Sequence, residues 1–268
     1  MFGAIRYQTL YQLLRSIPRW GWLLFGGLTL LLILLHSARL MYHLSQHHQE
    51  LMHRVEQQYL HGAEAQHNIA DKLFTRYSND PALQGLIKEY KDADPLAQQR
   101  IRGEILSVLR PHQLELAELG IRQFQLIDDQ GHSLLRLSAP ELHSDALMPV
   151  RALVTSMVLQ QKAQHGFEQG RVKAGFSHIF PVVVDGEFLA GIEFMFSPRH
   201  ISDQITGSVG DGLFYLLLES QQANGILLDS FFDRIQPVEG LAGWVLDLSN
   251  SSSQPAVLTR FLNDLPLA

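Results

Sequence analysis

The sequence predicts an α+β protein, with a membrane-spanning helix and a long stalk helix followed by an antiparallel sheet flanked by helices. Three observations support this fold class: an uncharged apolar run at 20–38, helical spacing of apolar residues up to about residue 77, and strand-like runs from residue 121 that are interrupted by turns. The 268 residues are 46 % hydrophobic and 18 % charged, which is enough for one large or two small domains with a packed core.

The charges are unevenly distributed. The four basic residues before position 50 are all arginines, whereas the first acidic residue is Glu50. Removing those four from the 21 basic residues leaves 17 against 27 acidic residues from Glu50 onward. Because an acidic body repels phosphate backbones, we expect no nucleic-acid partner. The absence of cysteine excludes disulfides, thiolate metal sites and cysteine nucleophiles.

The run at 20–38, WGWLLFGGLTLLLILLHSA, contains no formal charge. As a helix it is about 28 Å long, close to the roughly 30 Å hydrocarbon core of a bilayer. Arg6, Arg15 and Arg19 precede it and only Arg39 follows closely, so the positive-inside rule places the N-terminus in the cytoplasm and the body in the periplasm of a bacterial inner membrane.

Two alternatives to this single-pass anchor remain open. A cleaved signal peptide usually has a shorter apolar region of about 7–15 residues and a small-residue cleavage site, which is not seen here. A buried helix of a soluble protein would also be apolar on every face.

The stalk helix should continue from Leu40 to about Tyr77, since apolar residues recur at helical spacing without a proline. Its apolar stripe could be the seam of a homodimer or could dock on the body. Asp80-Pro81 and Asp94-Pro95 each predict an N-cap followed by proline, so helices should begin near 81 and 95. Pro111 should interrupt the second of these helices.

The period then changes to that of strands. The stretch 121–137, IRQFQLIDDQGHSLLRL, predicts two strands joined by a turn, followed by a helix at 147–162 and a strand at 166–173. In 175–196, Asp185-Gly186 predicts the turn of a β-hairpin. A short helix should follow Pro198, with further strands near 213–219 and 242–248 and a loop at 249–255.

This order, together with FQLIDDQGHSLLRLSAPE (124–141) and GFEQGRVKAGFSHIFPVVVDGEFLAGIEF (166–194), resembles the extracytoplasmic Cache sensor domains of bacterial chemoreceptors, sensor kinases and diguanylate cyclases. The double Cache type is the most similar, and its sheet is PAS-like. The resemblance implies a sensor that binds a small molecule over one face of the sheet. It implies the following ligand-binding residues: Arg136, Glu168, Arg171, Phe176, His178 and Glu193.

Together with the apolar run and its flanking arginines, the resemblance gives these expected domains: a cytoplasmic N-terminus at 1–19, the span at 20–38, stalk and sensor helices at 39–118, a membrane-distal lobe at 119–200 and a partial second lobe at 201–268. Double Cache proteins normally have a complete second lobe, a second span and a cytoplasmic output domain. We therefore expect a truncated receptor or a chain that kept only its sensor, and an output domain beyond it could be catalytic.

Within the hairpin, simple two-residue pairing across Asp185-Gly186 places His178 opposite Glu193 and Phe176 opposite Met195. The histidine and the carboxylate could then stabilise each other as a cross-strand pair, or they could both contact a ligand. An arginine would bind a ligand carboxylate through two hydrogen bonds, and a glutamate would bind an amine.

Seven of the 13 histidines lie in the segment 36–67. A polar, partly solvated stalk is the simplest explanation of this cluster. The alternatives are a metal ion shared by His43 and His47, which are four residues apart on a helix, and pH sensing. We expect no catalytic residue, cofactor or metal in this chain, since no P-loop, G-x-S-x-G or metalloprotease motif is present. The alternative to a ligand-binding sensor is a periplasmic partner of another receptor without its own small ligand.

Overall fold

The computed structural model describes residues 18–208 and 215–248. Its first helix, α1, runs Arg19–Ser78, and within the described residues it is the only helix long and apolar enough to cross a membrane. The chain divides into two compact units, and their boundary lies within α1, between Arg54 and Val55. The predicted continuation of the apolar helix into a stalk is confirmed. The predictions for 1–17 and for the loop at 249–255 lie outside the described residues.

Two capped helices follow, α2 (Pro81–Asp92) and α3 (Pro95–Leu109). The side chains of Asp80 and Asp94 each accept hydrogen bonds from two backbone N–H groups in the first turn of these helices. Both predicted N-caps are therefore confirmed. As expected from the proline, α3 ends before a 3₁₀ turn at Arg110–His112, and α4 is a separate helix at Gln113–Glu118.

The central sheet has five antiparallel strands in the order β2-β1-β5-β4-β3. Its strands are β1 (Ile121–Asp128), β2 (Ser133–Arg136), β3 (Gln164–Gln169), β4 (Ala174–Val184) and β5 (Glu187–Phe196). A helix, α5 (Ala152–Gln160), connects β2 to β3 and is shorter than predicted. The β4–β5 hairpin turns at Asp185-Gly186, where both residues have positive φ (52° and 83°), as a two-residue hairpin turn requires.

The predicted register of this hairpin is wrong beyond its first two pairs. Val184 pairs with Glu187 and Val183 with Phe188, but the register then shifts and Val182 pairs with Ala190. Leu189 is the extra residue of a β-bulge. Consequently His178 lies opposite Phe194, not Glu193, and Glu193 lies opposite Ile179. Phe176 likewise lies opposite Phe196 and not Met195.

The two faces of the sheet contact different elements. The α1 face, which carries Phe176, His178, Phe180 and Phe194, packs against the part of α1 after Val55 and against α2 and α3 in the main hydrophobic core. The α5 face carries Gln125, Arg136, Ser177, Ile179 and Glu193 and is covered by α5 and the segment before it.

Smaller elements follow β5. Helix α6 (Pro198–Ser208) is followed by β6 (Leu217–Glu219), α7 (Ser220–Ile226), a 3₁₀ turn (Asp229–Arg234), β7 (Ile235–Pro237) and β8 (Trp244–Asp247). The three strands form a separate antiparallel sheet in the order β6-β8-β7. The two strands expected near 213–219 and 242–248 are present within the described residues, whereas β7 was not predicted.

Candidate functional site

The α5 face holds a buried cluster of charges centred on Arg151, which is 1 % exposed. Its Nη2 donates to Glu193 Oε1 at 2.5 Å and its Nε donates to Glu168 Oε2 at 2.7 Å. Ser177 Oγ donates to the same Glu193 oxygen at 2.7 Å. Glu193 is completely buried, so the guanidinium is the cation that makes its burial possible.

Local structure explains why Arg151 lies here. It is the residue before α5, and its own side chain makes no capping bond to that helix. Glu168 Oε1 instead accepts from Leu153 N at 3.0 Å, so a carboxylate from β3 satisfies one of the free N–H groups at the start of α5. Burial alone would lower the pKa of the Arg151 guanidinium, but the charges and hydrogen bonds of Glu193 and Glu168 outweigh burial and raise that pKa.

A second ion-pair cluster lies on the same α5 face of the sheet and is centred on Asp145. Arg136, also 1 % exposed, donates from Nη1 to Asp145 Oδ1 (2.7 Å) and from Nη2 to Asp145 Oδ2 (2.9 Å). Arg171 Nε lies 3.0 Å from the same Oδ2. Partial burial alone would raise the pKa of Asp145, but the hydrogen bonds and charge of Arg136, together with Arg171, lower it.

These contacts fix the segment 137–151, which joins β2 to α5. Arg136 Nη1 also donates to Leu142 O at 2.6 Å, and Ser133 N donates to Asp145 O at 3.0 Å. Leu147 N donates to Gly131 O at 3.0 Å. The segment is therefore held against the edge of the α5 face. Because it contains Asp145 and ends at Arg151, it links the two ion-pair clusters covalently.

Glycines let α5 and neighbouring side chains approach this face closely. A Cβ at Gly191 would collide with Met157 of α5, and a Cβ at Gly175 would lie 2.5 Å from Phe196 O. Gly166 faces Leu153 of α5, whose methyl carbons would lie 3.7 and 3.8 Å from an added Cβ. The α5 face thus combines buried charges with small residues.

The α1 face is different, because its polar groups are imidazoles and an amide. The rings of His67, His165 and His178 have centroids 5.2–5.9 Å apart. Burial, together with His67 and His165, lowers the pKa of His178 to about 4. Together with Tyr59, Gln66 and Phe176, these three rings line a cavity of about 250 Å³.

The six predicted ligand-binding residues therefore fall into three places. Glu168 and Glu193 meet at Arg151, and Arg136 and Arg171 meet at Asp145. Phe176 and His178 lie on the opposite face of the sheet, so they cannot share a site with Glu193. The predicted His178–Glu193 pair is wrong, since the bulge at Leu189 turns the two side chains to opposite faces.

Arg151 was missed by the sequence analysis, although a signal was present. It is the only charged residue between Asp145 and Lys162, inside an apolar run. Two glutamates in strands of a buried sheet require a cation, and a lone arginine in such a run is the residue type that supplies one.

The stalk histidines before residue 62 (His36, His43, His47, His48, His53 and His61) are all exposed. Within residues 18–208 and 215–248, no group of three His, Cys, Asp or Glu side chains is arranged to hold a metal ion. His67 differs from the others because it belongs to the cavity on the α1 face.

Comparison with known proteins identifies the family of the chain. A family model described as the double sensory domain of two-component sensor kinase matches residues 45–226. A comparison with curated protein sequences finds no match.

Three solved structures are similar at low identity. One is the extracellular domain of a protein assigned as a histidine kinase, with 12 % identity, a TM-score of 0.33, and coverage of 57 % of this chain and 62 % of that one. A domain from Vibrio parahaemolyticus assigned to the sensory box/GGDEF family has 12 % identity, a TM-score of 0.33 and coverage of 57 % and 65 %. The sensory domain of the Campylobacter jejuni chemoreceptor Tlp3, with isoleucine bound, has 13 % identity, a TM-score of 0.37 and coverage of 66 % and 70 %.

The chain thus spans less than two thirds of the length of the first two of these structures. The family assignment depends on the match at 45–226, which covers more than half of the chain and includes the whole central sheet. Sensory domains of this family are non-catalytic and extracytoplasmic. The chain belongs to the double Cache family of sensory domains of signalling proteins.

Proposed function

We propose that this sensory domain is anchored in the bacterial inner membrane by 20–38, with its body in the periplasm, and that it binds a small molecule carrying an ammonium group on the α5 face. The uncharged run and the arginines before it support the anchor and its direction. The five strands between Ile121 and Phe196 support a membrane-distal lobe at 119–200, and the three-stranded sheet supports a second lobe after it.

The charge balance of the Arg151 cluster carries this proposal. One guanidinium is shared by two carboxylates, Glu168 and Glu193, so the cluster has an excess negative charge in a buried setting. An excess negative charge of low exposure favours a cation. A ligand ammonium that approaches Glu168 would supply that cation with hydrogen bonds from N–H groups to the carboxylate.

A cavity of about 480 Å³ reaches Glu168 from outside the cluster. Its wall includes the apolar residues Val150, Leu153, Leu217 and Trp244, and its polar residues besides Glu168 are Gln169, Glu219 and Gln222. A pocket of this size and lining suits a small molecule with an apolar part and one charged end. Arg136 and Arg171 then have a positioning role, because through Asp145 they hold the segment that ends at Arg151.

Signalling would follow from exchange of partners at Glu168. In the ligand-free arrangement this carboxylate bonds both Arg151 Nε and Leu153 N. An ammonium that competes for it would loosen the start of α5 and shift the population of states of the segment 137–151. The stalk provides a route to a homodimer, since Leu40 and Leu44 are exposed on α1 whereas Leu73 and Tyr77 are buried against the body.

Thermal unfolding of the full chain in detergent tests the proposal. Amines and amino acids would be compared with their N-acetylated counterparts, which keep the shape and lose the charge. A ligand at about 100 times its Kd should raise the midpoint by several degrees, and its N-acetyl form should not. Glu168→Gln should abolish this shift, whereas Glu141→Gln, an exposed change of the same kind, should keep it.

The result that contradicts the proposal is a folded chain whose midpoint responds to no amine, or one whose response survives Glu168→Gln. The first outcome would favour the alternative in which the chain is a periplasmic partner of another receptor without a small ligand. Crosslinking of single cysteines introduced at Leu40 and Leu44 would test the homodimer separately.

A further inference from the structure

The cavity on the α1 face is separate from the Arg151 cluster, because the sheet lies between them. It has a volume of about 250 Å³ and lies between α1, which contributes Gln66 and His67 among other residues, and the sheet, which contributes His165, Phe176 and His178. Tyr59 lies at its rim and is 40 % exposed. Its ring centroid is 5.9 Å from that of Phe176. The cavity is therefore walled largely by flat rings.

Gln66 is the unusual residue of this cavity. It is 3 % exposed, yet neither its Nε2 nor its Oε1 has a hydrogen-bond partner among the described residues. A buried amide without partners is costly, and native proteins seldom leave one unsatisfied. His67 Nδ1 and His178 Nδ1 are also buried without partners, and both residues belong to the wall of the same cavity. Three residues of the cavity wall thus have buried polar atoms without partners.

The cavity is almost uncharged. Among the described residues, Glu64 is the only acidic or basic residue in its wall apart from the histidines, and its side chain is exposed. Asp71 Oδ2 lies 3.7 Å from His67 Nε2, on the exposed side of that ring. Because burial and the other two imidazoles hold the pKa of His178 low, this ring is neutral near pH 7. These features disfavour an ionic ligand.

We propose that the α1-face cavity binds an uncharged planar heterocycle with adjacent N–H and C=O or ring-nitrogen groups, of the nucleobase class. A glutamine amide offers a donor and an acceptor side by side and pairs through two hydrogen bonds with the edge of such a ring. The aromatic rings of Tyr59 and Phe176 and the imidazoles offer surfaces for stacking. This proposal does not depend on the ligand proposed for the α5 face.

The test is a titration of the full chain in detergent with uracil, cytosine, adenine and hypoxanthine, followed by calorimetry and by thermal unfolding. 1,3-Dimethyluracil is the matched control, since it keeps the ring and lacks both N–H groups. At least one base should raise the unfolding midpoint by several degrees at about 100 times its Kd, and the dimethylated ring should bind at least tenfold more weakly.

Two variants then locate the site. Gln66→Leu should weaken binding at least tenfold while the midpoint without ligand stays the same or rises, because an unpaired buried amide has been removed. Tyr59→Leu, at the exposed rim, should keep the fold and weaken binding through lost stacking. Glu168→Gln should bind the base as the wild type does, so failure of the α5-face proposal would leave this one intact.

Three outcomes would overturn the proposal. One is that no base binds to the folded chain. Another is that Gln66→Leu and Tyr59→Leu bind as tightly as the wild type. The third is a stabilisation by Zn²⁺ with none by the bases, which would make the three histidines a metal-binding cluster.

Discussion

The two faces of the central sheet differ in the partners of their buried polar groups. On the α5 face, each buried charge contacts a charge of the opposite sign, and Arg151 bonds Glu168, Glu193 and Ser177. On the α1 face, His178 Nδ1 and the amide of Gln66 in the facing helix are neutral and lack hydrogen-bond partners among the described residues. The difference shows that a buried charge demands its counter-charge, whereas a neutral polar group can be left available.

The largest effect should come from removing the cation of the α5 face. Arg151→Met leaves the fully buried Glu193 unpaired, so the free energy of unfolding should fall by about 3–5 kcal/mol. Denaturant unfolding followed by circular dichroism measures this loss. The double variant Arg151→Met/Glu193→Leu should regain most of the lost stability. If the single variant were as stable as the wild type, the charges of this face would not be interdependent.

The second largest effect should come from low pH, which should reduce the free energy of unfolding through His178 on the α1 face. The unfolded state takes up a proton on His178 near pH 6.5, whereas the folded state does so near pH 4. The stability that comes from neutral His178 is therefore complete above pH 6.5 and is lost as the pH falls towards 4, by an amount on the order of 3 kcal/mol. Unfolding measured across this range should show the decline.

Other titratable groups lie close to His178, so the pH experiment needs variants that separate their contributions. His67 and His165 add to the repulsion once protonated, while Asp71 lies on the exposed side of His67. His178→Phe should flatten the pH dependence between 6.5 and 4, and His48→Gln, an exposed stalk change, should leave it as in the wild type. An equal slope in His178→Phe would show that other titratable groups cause the decline.

A smaller effect is expected from adding one methyl group to the α5 face. The Cβ of Gly175→Ala would lie 2.5 Å from Phe196 O, which is backbone and cannot rotate away. We expect a loss of about 1–3 kcal/mol in a thermal or denaturant unfolding experiment. Gly85→Ala in α2 is the matched control, since its Cβ meets nothing within 4 Å and it should gain about 0.5–1 kcal/mol. Equal stability of both variants would show that β4 can move.

The smallest effect should come from the aromatic edge of the α1 face. Phe167 is 37 % exposed and its ring centroid is 5.3 Å from that of Phe176, in a T-shaped pair. Phe167→Leu should lose about 0.5–1.5 kcal/mol, the usual value of such a pair. Leu159→Ala, at a position 72 % exposed on α5, should change stability by less than about 0.5 kcal/mol. A loss at Leu159 equal to that at Phe167 would remove the aromatic pair as an explanation.

Most elements of this fold could be predicted because their signals are local. Asp80 and Asp94 cap the helices that they precede, and Asp185-Gly186 forms the hairpin turn, since each depends on a few neighbouring residues. These helices and the hairpin can therefore be predicted without information on tertiary contacts. The family resemblance in 124–141 and 166–194 also covers the strands that are present.

The site was predicted only in part because its contacts are distant in sequence. Glu168 and Glu193 were identified as candidates, but Arg151 joins them across 17 and 42 residues, and no local pattern encodes that meeting. His178 and Glu193 were assigned to one face because a strict alternation was assumed. A bulge is a change in tertiary pairing that leaves the hydrophobic pattern almost unaltered, so the sequence does not display it.

The bulge also has a genetic consequence. Leu189 has no partner in β4, so β5 contains one residue more than its pairing with β4 requires. If a single codon between Leu189 and Ile192 were deleted, loss of the bulge could absorb the change and keep Glu193 facing Arg151. A single-codon insertion there cannot be compensated by loss of the bulge, and it would turn every following side chain of β5 to the wrong face. Length variation in this strand should therefore be tolerated in one direction only.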